Sequence, residues 1–410
     1  MKEPCARTAW LPVSIETFAA SAFSPKSGVP QAGEVFVVPR VLIRVDASIL
    51  IGTGHVMRCL TLARALAEEG AEVCFVSRDH PGNLNAYIEA SGFPVLEISG
   101  DGVGGGAFPG DSPHAHWLGG SWEADARQTA RHAAARRADL LIVDHYALDA
   151  RWEAEVGVLP ERIVVIDDLA DRPHGCALLV DANLGRRARD YAGLVPSGAI
   201  VLAGAEYALL RAEFAAAREK SLARRRDPAL RRILVAMGGV DMPNATGRVL
   251  DAFDASVLPD ACQITIVLGS RAPWLDEVRS AAVKQRRPTE VLIDVTDMAE
   301  LMADSDLAVG GAGVTAWERG CLGLPTLIVT IADNQLAGAK ALADTGAARW
   351  VGGVEDVATR LAGLIEEVAE PRTLAAMSQA ASAITDGEGI RRVVAHIGRL
   401  CQAVDRPATG

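Results

Sequence analysis

The sequence predicts two doubly wound, Rossmann-like α/β domains facing a cleft. Three observations carry that expectation. From Val41 onward, short apolar runs alternate with amphipathic segments, the pattern of successive βαβ units. The runs are apolar throughout, as in parallel sheets covered on both faces. The alternation pauses over a basic stretch near residues 211–232 and then restarts. The length of 410 residues accommodates this, since single cores stop growing at roughly 250–300 residues.

Residues 1–39 carry scattered Pro, Ser and Gly without periodicity. They read as a poorly ordered extension or the product of a misplaced start codon. Glu3, Pro4, Pro12 and Glu16 do not suit a signal peptide. The first domain is expected over residues 40–212, with strands at 41–45, 71–76, 140–143, 163–166 and 178–180. Residues 44–66 pass from strand through a glycine loop into a helix expected to bury Val56, Leu60, Ala63, Leu66 and Ala67. A Gly-rich stretch over 100–110 reads as an exposed excursion. Residues 213–232 form a basic, mostly helical linker. The second domain, 233–410, has strands at 233–237, 264–268, 290–293, 307–309 and 326–329, then closing helices near 354–367, 371–382 and 388–402. Ligands of such sheets bind at the carboxyl ends of the strands, here between the two domains.

Composition excludes several classes. Half the residues are hydrophobic and 23% are charged, enough apolar material for packed cores. The net charge of −11 argues against nucleic acid as a partner. No apolar run reaches the roughly 18 residues of a spanning helix, so stable membrane insertion is not expected. Seven scattered cysteines form no CxxC pair and read as reduced core residues of a cytoplasmic enzyme. Nothing in the pattern specifies an oligomeric state.

Five segments could carry chemistry. In RVDASILIGTGHVMRCLTLARAL, Gly52 and Gly54 let backbone approach a ligand, and His55 and Arg58 stand at the helix start, in the cleft. A plain strand-to-helix turn with a capping His would look the same. In LAVGGAGVTAWERGCLGLPTLIVTIADNQ, Gly311 and Gly313 would admit a diphosphate, and Glu318 could accept two ribose hydroxyls. Asn334 and Gln335 end the next strand beside that site; the alternative for Glu318 is a first-turn residue favoured by the helix dipole. MGGVDMPN, with Gly239, could add backbone donors. In LLIVDHYALD, Asp144, His145 and Tyr146 follow a buried strand and either face the cleft or cap the strand. In VIDDLADRPHG, Asp167, Asp168 and Asp171 suggest either a divalent-metal cluster or turn chemistry, and no further acidic group completes six oxygens. No metal and no cofactor is therefore expected. GxSxG and a full GxGxxG fingerprint are missing, which weighs against a serine hydrolase and a dehydrogenase.

Taken in order, RVDASILIGTGHVMRCLTLA, VDHYALD, IDDLADRPHGCALLVDANLG, YALLRAEF, MGGVDMPNAT and GGAGVTAWERGCLGLPTLIV with ADNQ resemble the UDP-sugar hydrolases of pseudaminic acid biosynthesis, over about residues 41–350. The first 39 residues have no counterpart in that pattern. The resemblance implies the GT-B fold, shared with the transferase of peptidoglycan lipid II synthesis. It implies release of UDP from UDP-2,4-diacetamido-2,4,6-trideoxy-β-L-altropyranose, with His55 as catalytic base. It implies nucleotide contacts at the GGAGVTAWE segment including Glu318 and at Asn334, with Tyr146 and Arg211 near the sugar or phosphate. The competing expectations are a GT-B glycosyltransferase using the same donor, with His55 activating an acceptor hydroxyl, and a nucleotide-sugar sensor without turnover.

Overall fold

A computed structural model describes residues 39–99, 112–332 and 335–404. The N-terminal 38 residues, the 100–110 excursion and Asn334 lie outside the described residues. The first sheet contains β1 (Arg40–Val45), β2 (Glu72–Arg78), β3 (Val95–Ile98), β4 (Leu140–Asp144), β5 (Ile163–Ile166), β6 (Leu178–Asp181) and β7 (Ile200–Ala203), in the order β3-β2-β1-β4-β5-β6-β7. Every pair is parallel. Its helices are α1 (Gly54–Glu68), α2 (Asn85–Ala90), α3 (Trp122–Arg136) and α4 (Ala150–Glu155). Helix α5 (Ala212–Arg224) leads into the second sheet. That sheet contains β8 (Arg232–Ala236), β9 (Gln263–Leu268), β10 (Thr289–Ile293), β11 (Leu307–Gly310), β12 (Thr326–Thr330) and β13 (Ala348–Gly353), again all parallel, in the order β10-β9-β8-β11-β12-β13. The remaining helices are α6 (Ala245–Asp254), α7 (Leu275–Lys284), α8 (Met298–Ala303), α9 (Thr315–Cys321), α10 (Leu336–Asp344), α11 (Val357–Val368), α12 (Pro371–Ser382) and α13 (Gly389–Val404).

The expected strands are present within one or two residues, and β3, β7 and β13 add to them. All three added strands lie on the outer side of a sheet. There a strand has a neighbour on one side only; Glu97 interrupts the run of β3 and Arg349 that of β13, while β7 is the short apolar run IVLA, partly exposed. Ile200, for example, is 38% exposed.

Strand order places the functional crevices. In each sheet the winding direction reverses beside the first strand, between β1 and β4 and between β8 and β11. Loops leaving the carboxyl ends of such a pair diverge to opposite faces and open a crevice. Those loops are 46–53 and 145–149 in one sheet and 237–244 and 311–314 in the other.

Helix α1 is buried on two sides. Val56, Cys59, Leu60, Leu62, Ala63 and Leu66 all enter the first core, while Ala67, expected inside, is exposed. The reason is α13, which packs against α1 and contributes Ile390, Val393 and Ile397 to that same core. The last helix therefore covers the first sheet, whereas Leu374 and Met377 of α12 stay with the second. Cys59, Cys74, Cys176, Cys262 and Cys321 are buried thiols outside any disulfide. Among the described residues no helix is long and apolar enough to cross a membrane.

Candidate active site

Strand β1 carries a fully buried arginine in an otherwise apolar run. Arg44 is held by Asp46 at 2.6 and 2.8 Å and by Asp125 of α3 at 3.1 and 2.7 Å. Trp152 Nε1 and Arg78 donate to the same Asp125. Removing a buried charge pair's partner costs several kcal/mol, so this cluster pins the carboxyl end of β1 rigidly. His145 belongs to it: its ring nitrogen Nε2 lies 3.3 Å from Asp46, and Nδ1 accepts from the Ala147 N–H. It is a buried support of the strand end.

After Asp46 the chain makes a tight loop closed by a Ser48–Gly52 bridge, with Gly52 at φ +81°, a conformation glycine adopts without strain. Helix α1 begins two residues later. His55 Nδ1 meets Asp144 Oδ1 at 2.6 Å, bringing together residues 89 apart in sequence. Asp144 is the final residue of β4 and is fully buried. One helical turn on, Arg58 donates Nε to Asp144 Oδ2 and Nη2 to Asp144 Oδ1, both at 2.6 Å, and Nη1 to Asp168 Oδ2 at 2.6 Å. Burial raises the Asp144 pKa, but the Arg58 charge and the His55 contact outweigh it and hold the carboxyl well below the usual range. An ionised Asp144 only accepts, so His55 Nδ1 carries a proton, and in the neutral ring the lone pair then sits on Nε2.

Tyr146 completes the cluster. Its hydroxyl donates to Asp168 Oδ2 at 2.5 Å, and burial with the Asp168 charge raises its pKa, keeping the phenol protonated. The His55 ring stands edge-on to Tyr146 at 4.6 Å, and Trp117 stacks on Tyr146 at 5.6 Å with His114 at 4.5 Å from Trp117.

The three aspartates read as a metal set are engaged by arginines and tyrosines. Asp167 binds Arg172 and Tyr191, Asp171 binds Arg172, and Asp168 binds Arg58 and Tyr146. Among the described residues no group of three or more His, Cys, Asp or Glu is arranged to hold a metal ion.

In the second sheet, Gly310 ends β11 and the 311–314 loop leads into α9. Glu318 is 8% exposed and lies 3.4 Å from Arg211, the residue that precedes α5 and that also pairs with Glu213 at 2.8 Å. Burial raises the Glu318 pKa, partly offset by Arg211 and Arg319. Gln335 accepts the Ile331 N–H, and a Cβ at Gly311 would lie 3.7 Å from its Oε1, so Gln335 borders the glycine loop. Gly313 has open space around its α-carbon.

In the MGGVDMPN loop, expected to add backbone donors, the helix start and the glycines differ in what they leave open. Its helix terminus closes on itself: Asp241 accepts from the N–H groups of Ala245 and Thr246, and Asn244 from Gly247. Short acidic and amide side chains outcompete an external anion for those donors. Gly238 and Gly239 remain exposed, so any backbone donors this loop offers a ligand come from them.

The two crevices meet. A Cβ on Gly54 would stand 3.8 Å from Val314, which places the first turn of α1, with His55, against the 311–314 loop. The structure thus unites His55, Arg58 and Tyr146 in one cluster and Arg211, Glu318, Gly311 and Gln335 around the adjoining loop. From sequence, Asp144 was a cleft-facing or strand-capping residue and Asp168 a metal-cluster or turn residue; neither was paired with Arg58, and Trp117 and His114 were not singled out. Asp144 was legible as a carboxylate ending a buried strand. Trp117 had no signal, since its contact with Tyr146 exists only through the fold.

Comparison with known proteins agrees with these motifs. Residues 247–393 match the glycosyltransferase family 28 C-terminal domain. The chain is 29% identical over 271 residues to the UDP-2,4-diacetamido-2,4,6-trideoxy-beta-L-altropyranose hydrolase of Campylobacter jejuni, covering 65% of this chain and 82% of that one. Among solved structures, MurG of Acinetobacter baumannii superposes with a TM-score of 0.64 at 18% identity, covering 88% of this chain and 99% of that one. The calicheamicin glycosyltransferase CalG4 gives 0.57 at 13% identity, covering 90% and 100%. The chain therefore has the GT-B fold, and it is a relative of the Campylobacter jejuni hydrolase, as its motifs indicated.

Proposed function

We propose that this protein hydrolyses a UDP-sugar to free sugar and UDP by attack of water at the anomeric carbon, with inversion. The substrate we assign is UDP-2,4-diacetamido-2,4,6-trideoxy-β-L-altropyranose, which the related hydrolase is named for, and the setting is pseudaminic acid biosynthesis. The observation that carries the reading is the 2.6 Å contact of His55 with Asp144 at the start of α1, where a Cβ on Gly54 would stand 3.8 Å from Val314 of the 311–314 glycine loop.

The chemistry follows from the tautomer. His55 Nε2 accepts a proton from water as the water oxygen bonds to the anomeric carbon. The bond from that carbon to the β-phosphate oxygen breaks, and its electron pair leaves with UDP. Asp144 stabilises the imidazolium that forms, and Arg58 keeps Asp144 ionised throughout. UDP departs without a proton when its charge is met by donors at Gly238–Gly239 and the 311–314 loop. Glu318 accepts from the ribose hydroxyls. No step calls for a metal ion.

Turnover in oxygen-18 water tests this. Label is expected in the sugar and not in UDP, with inverted configuration in the first-formed product. Label in UDP, or formation of UMP with a sugar 1-phosphate, overturns it. The family 28 match supports a second reading, transfer to an acceptor hydroxyl. UDP release without any acceptor separates the two.

A further inference from the structure

Arg319, on the far side of the 311–314 loop from the cleft, is the residue with unspent chemistry. It is 2% exposed. Other buried arginines have their charge met. Arg44, Arg58 and Arg172 are each bound by carboxylates. Arg225 and Arg287 sit among carbonyls at or just beyond helix carboxyl ends: Met302 and Ala303 of α8 for the first, Phe253 of α6, Ser256 and Leu258 for the second. Arg319 has neither arrangement. Its guanidinium folds back beneath the start of α9, donating Nη2 to the Gly311 carbonyl at 2.5 Å and Nη1 to Thr315 Oγ1 at 3.2 Å. Among the described residues no carboxylate hydrogen-bonds it, and its buried Nε has no partner. Burial pulls its pKa down to about 10, with the adjacent Glu318 charge opposing that.

The glycine pair is built around this cation. A Cβ at Gly310 would fall 2.8 Å from Arg319 Nη1 and 2.7 Å from the Ala236 carbonyl oxygen. The position takes glycine because the Ala236 carbonyl oxygen and the guanidinium together leave no room for a side chain. A buried cation with no carboxylate hydrogen-bonded to it is costly, and it persists where a ligand supplies a further anion.

We infer that Arg319 is a positioning residue for the diphosphate of the nucleotide: it fixes the Gly311 carbonyl, and so the 311–314 loop, and its charge is compensated when the diphosphate binds on the loop's other side. This rests on the UDP-sugar reading above. Phosphate affinity, and not uridine affinity, should therefore depend on Arg319.

Calorimetry on the full chain with UDP, UMP and uridine tests it, with Arg319→Met removing the charge at similar volume and Arg319→Lys keeping it. In Arg319→Met, UDP affinity should fall by about 10- to 100-fold, UMP less, and uridine within about twofold. Arg319→Lys should recover part of the UDP loss. The ligand-free Arg319→Met protein should melt no lower than wild type, since an uncompensated charge has gone, while the rise in melting temperature on adding UDP should shrink. Equal losses for UDP and uridine, or an unchanged UDP affinity, overturn the assignment. Wild-type protein that binds none of the three overturns the UDP-sugar reading itself, and this inference with it.

Discussion

Asp144→Asn is the most informative single change at this site. The carboxylate accepts three short hydrogen bonds from two donors, one from His55 and two from Arg58. An amide of the same shape can accept on one side only. With the NH2 in the place of Oδ1, Nδ1 must accept, Nε2 becomes protonated and the lone pair aimed at water is lost, while Arg58 Nη2 meets a second donor. With the NH2 in the place of Oδ2, Arg58 Nε meets a second donor, and His55 still donates to an oxygen, but to a neutral amide that does not stabilise the imidazolium. Losing either the tautomer or the counter-charge of the base in this way costs about 10³–10⁴ in turnover, roughly 4–5.5 kcal/mol of barrier. A second effect falls on stability, because Arg58 keeps only Asp168 as a carboxylate partner. The folded Asp144 pKa lies below its ordinary 3.8, so its contribution is present above about pH 4 and lost as pH falls further. The stability gap between wild type and Asp144→Asn should therefore narrow on acidification below pH 4. Turnover is followed as UDP release at saturating substrate, and folding by circular dichroism. Turnover within threefold of wild type in a folded Asp144→Asn protein would refute the dyad.

His55→Asn should lower turnover by about 10²–10⁴-fold while UDP affinity, measured by calorimetry, changes little; near wild-type turnover removes His55 as base. Glu318→Gln should weaken UDP binding by about an order of magnitude, from loss of charge-assisted ribose bonds of roughly 1.5–3 kcal/mol, and unchanged binding moves the ribose elsewhere. Activity should survive exhaustive chelation, because Asp167, Asp168 and Asp171 are already bound to Arg172 and Arg58; loss restored by magnesium would reverse that expectation.

The sequence by itself determined the repeating βαβ pattern, the central strands and the four loops where chemistry sits. Those features are local: an apolar run long enough to be covered on both faces, a glycine where backbone turns sharply, a helix face spaced at three and four residues. Gly52 and His55 were visible because one short segment contains strand, turn and helix start. The tertiary structure decided what has no local trace. Outer strands β3 and β13 carry a charged residue within the run, and β7 is a four-residue apolar run too short to identify as a strand without its neighbour β6. Helix α13 covers α1 across more than 300 residues of chain, which turned a one-faced helix into a two-faced one. The base at His55 depends on Asp144, which is 89 residues away, and on Arg58 holding that carboxylate ionised. A hydrogen-bond donor finds its acceptor by position in space, and the winding reversal between β1 and β4 is what puts the two ends side by side.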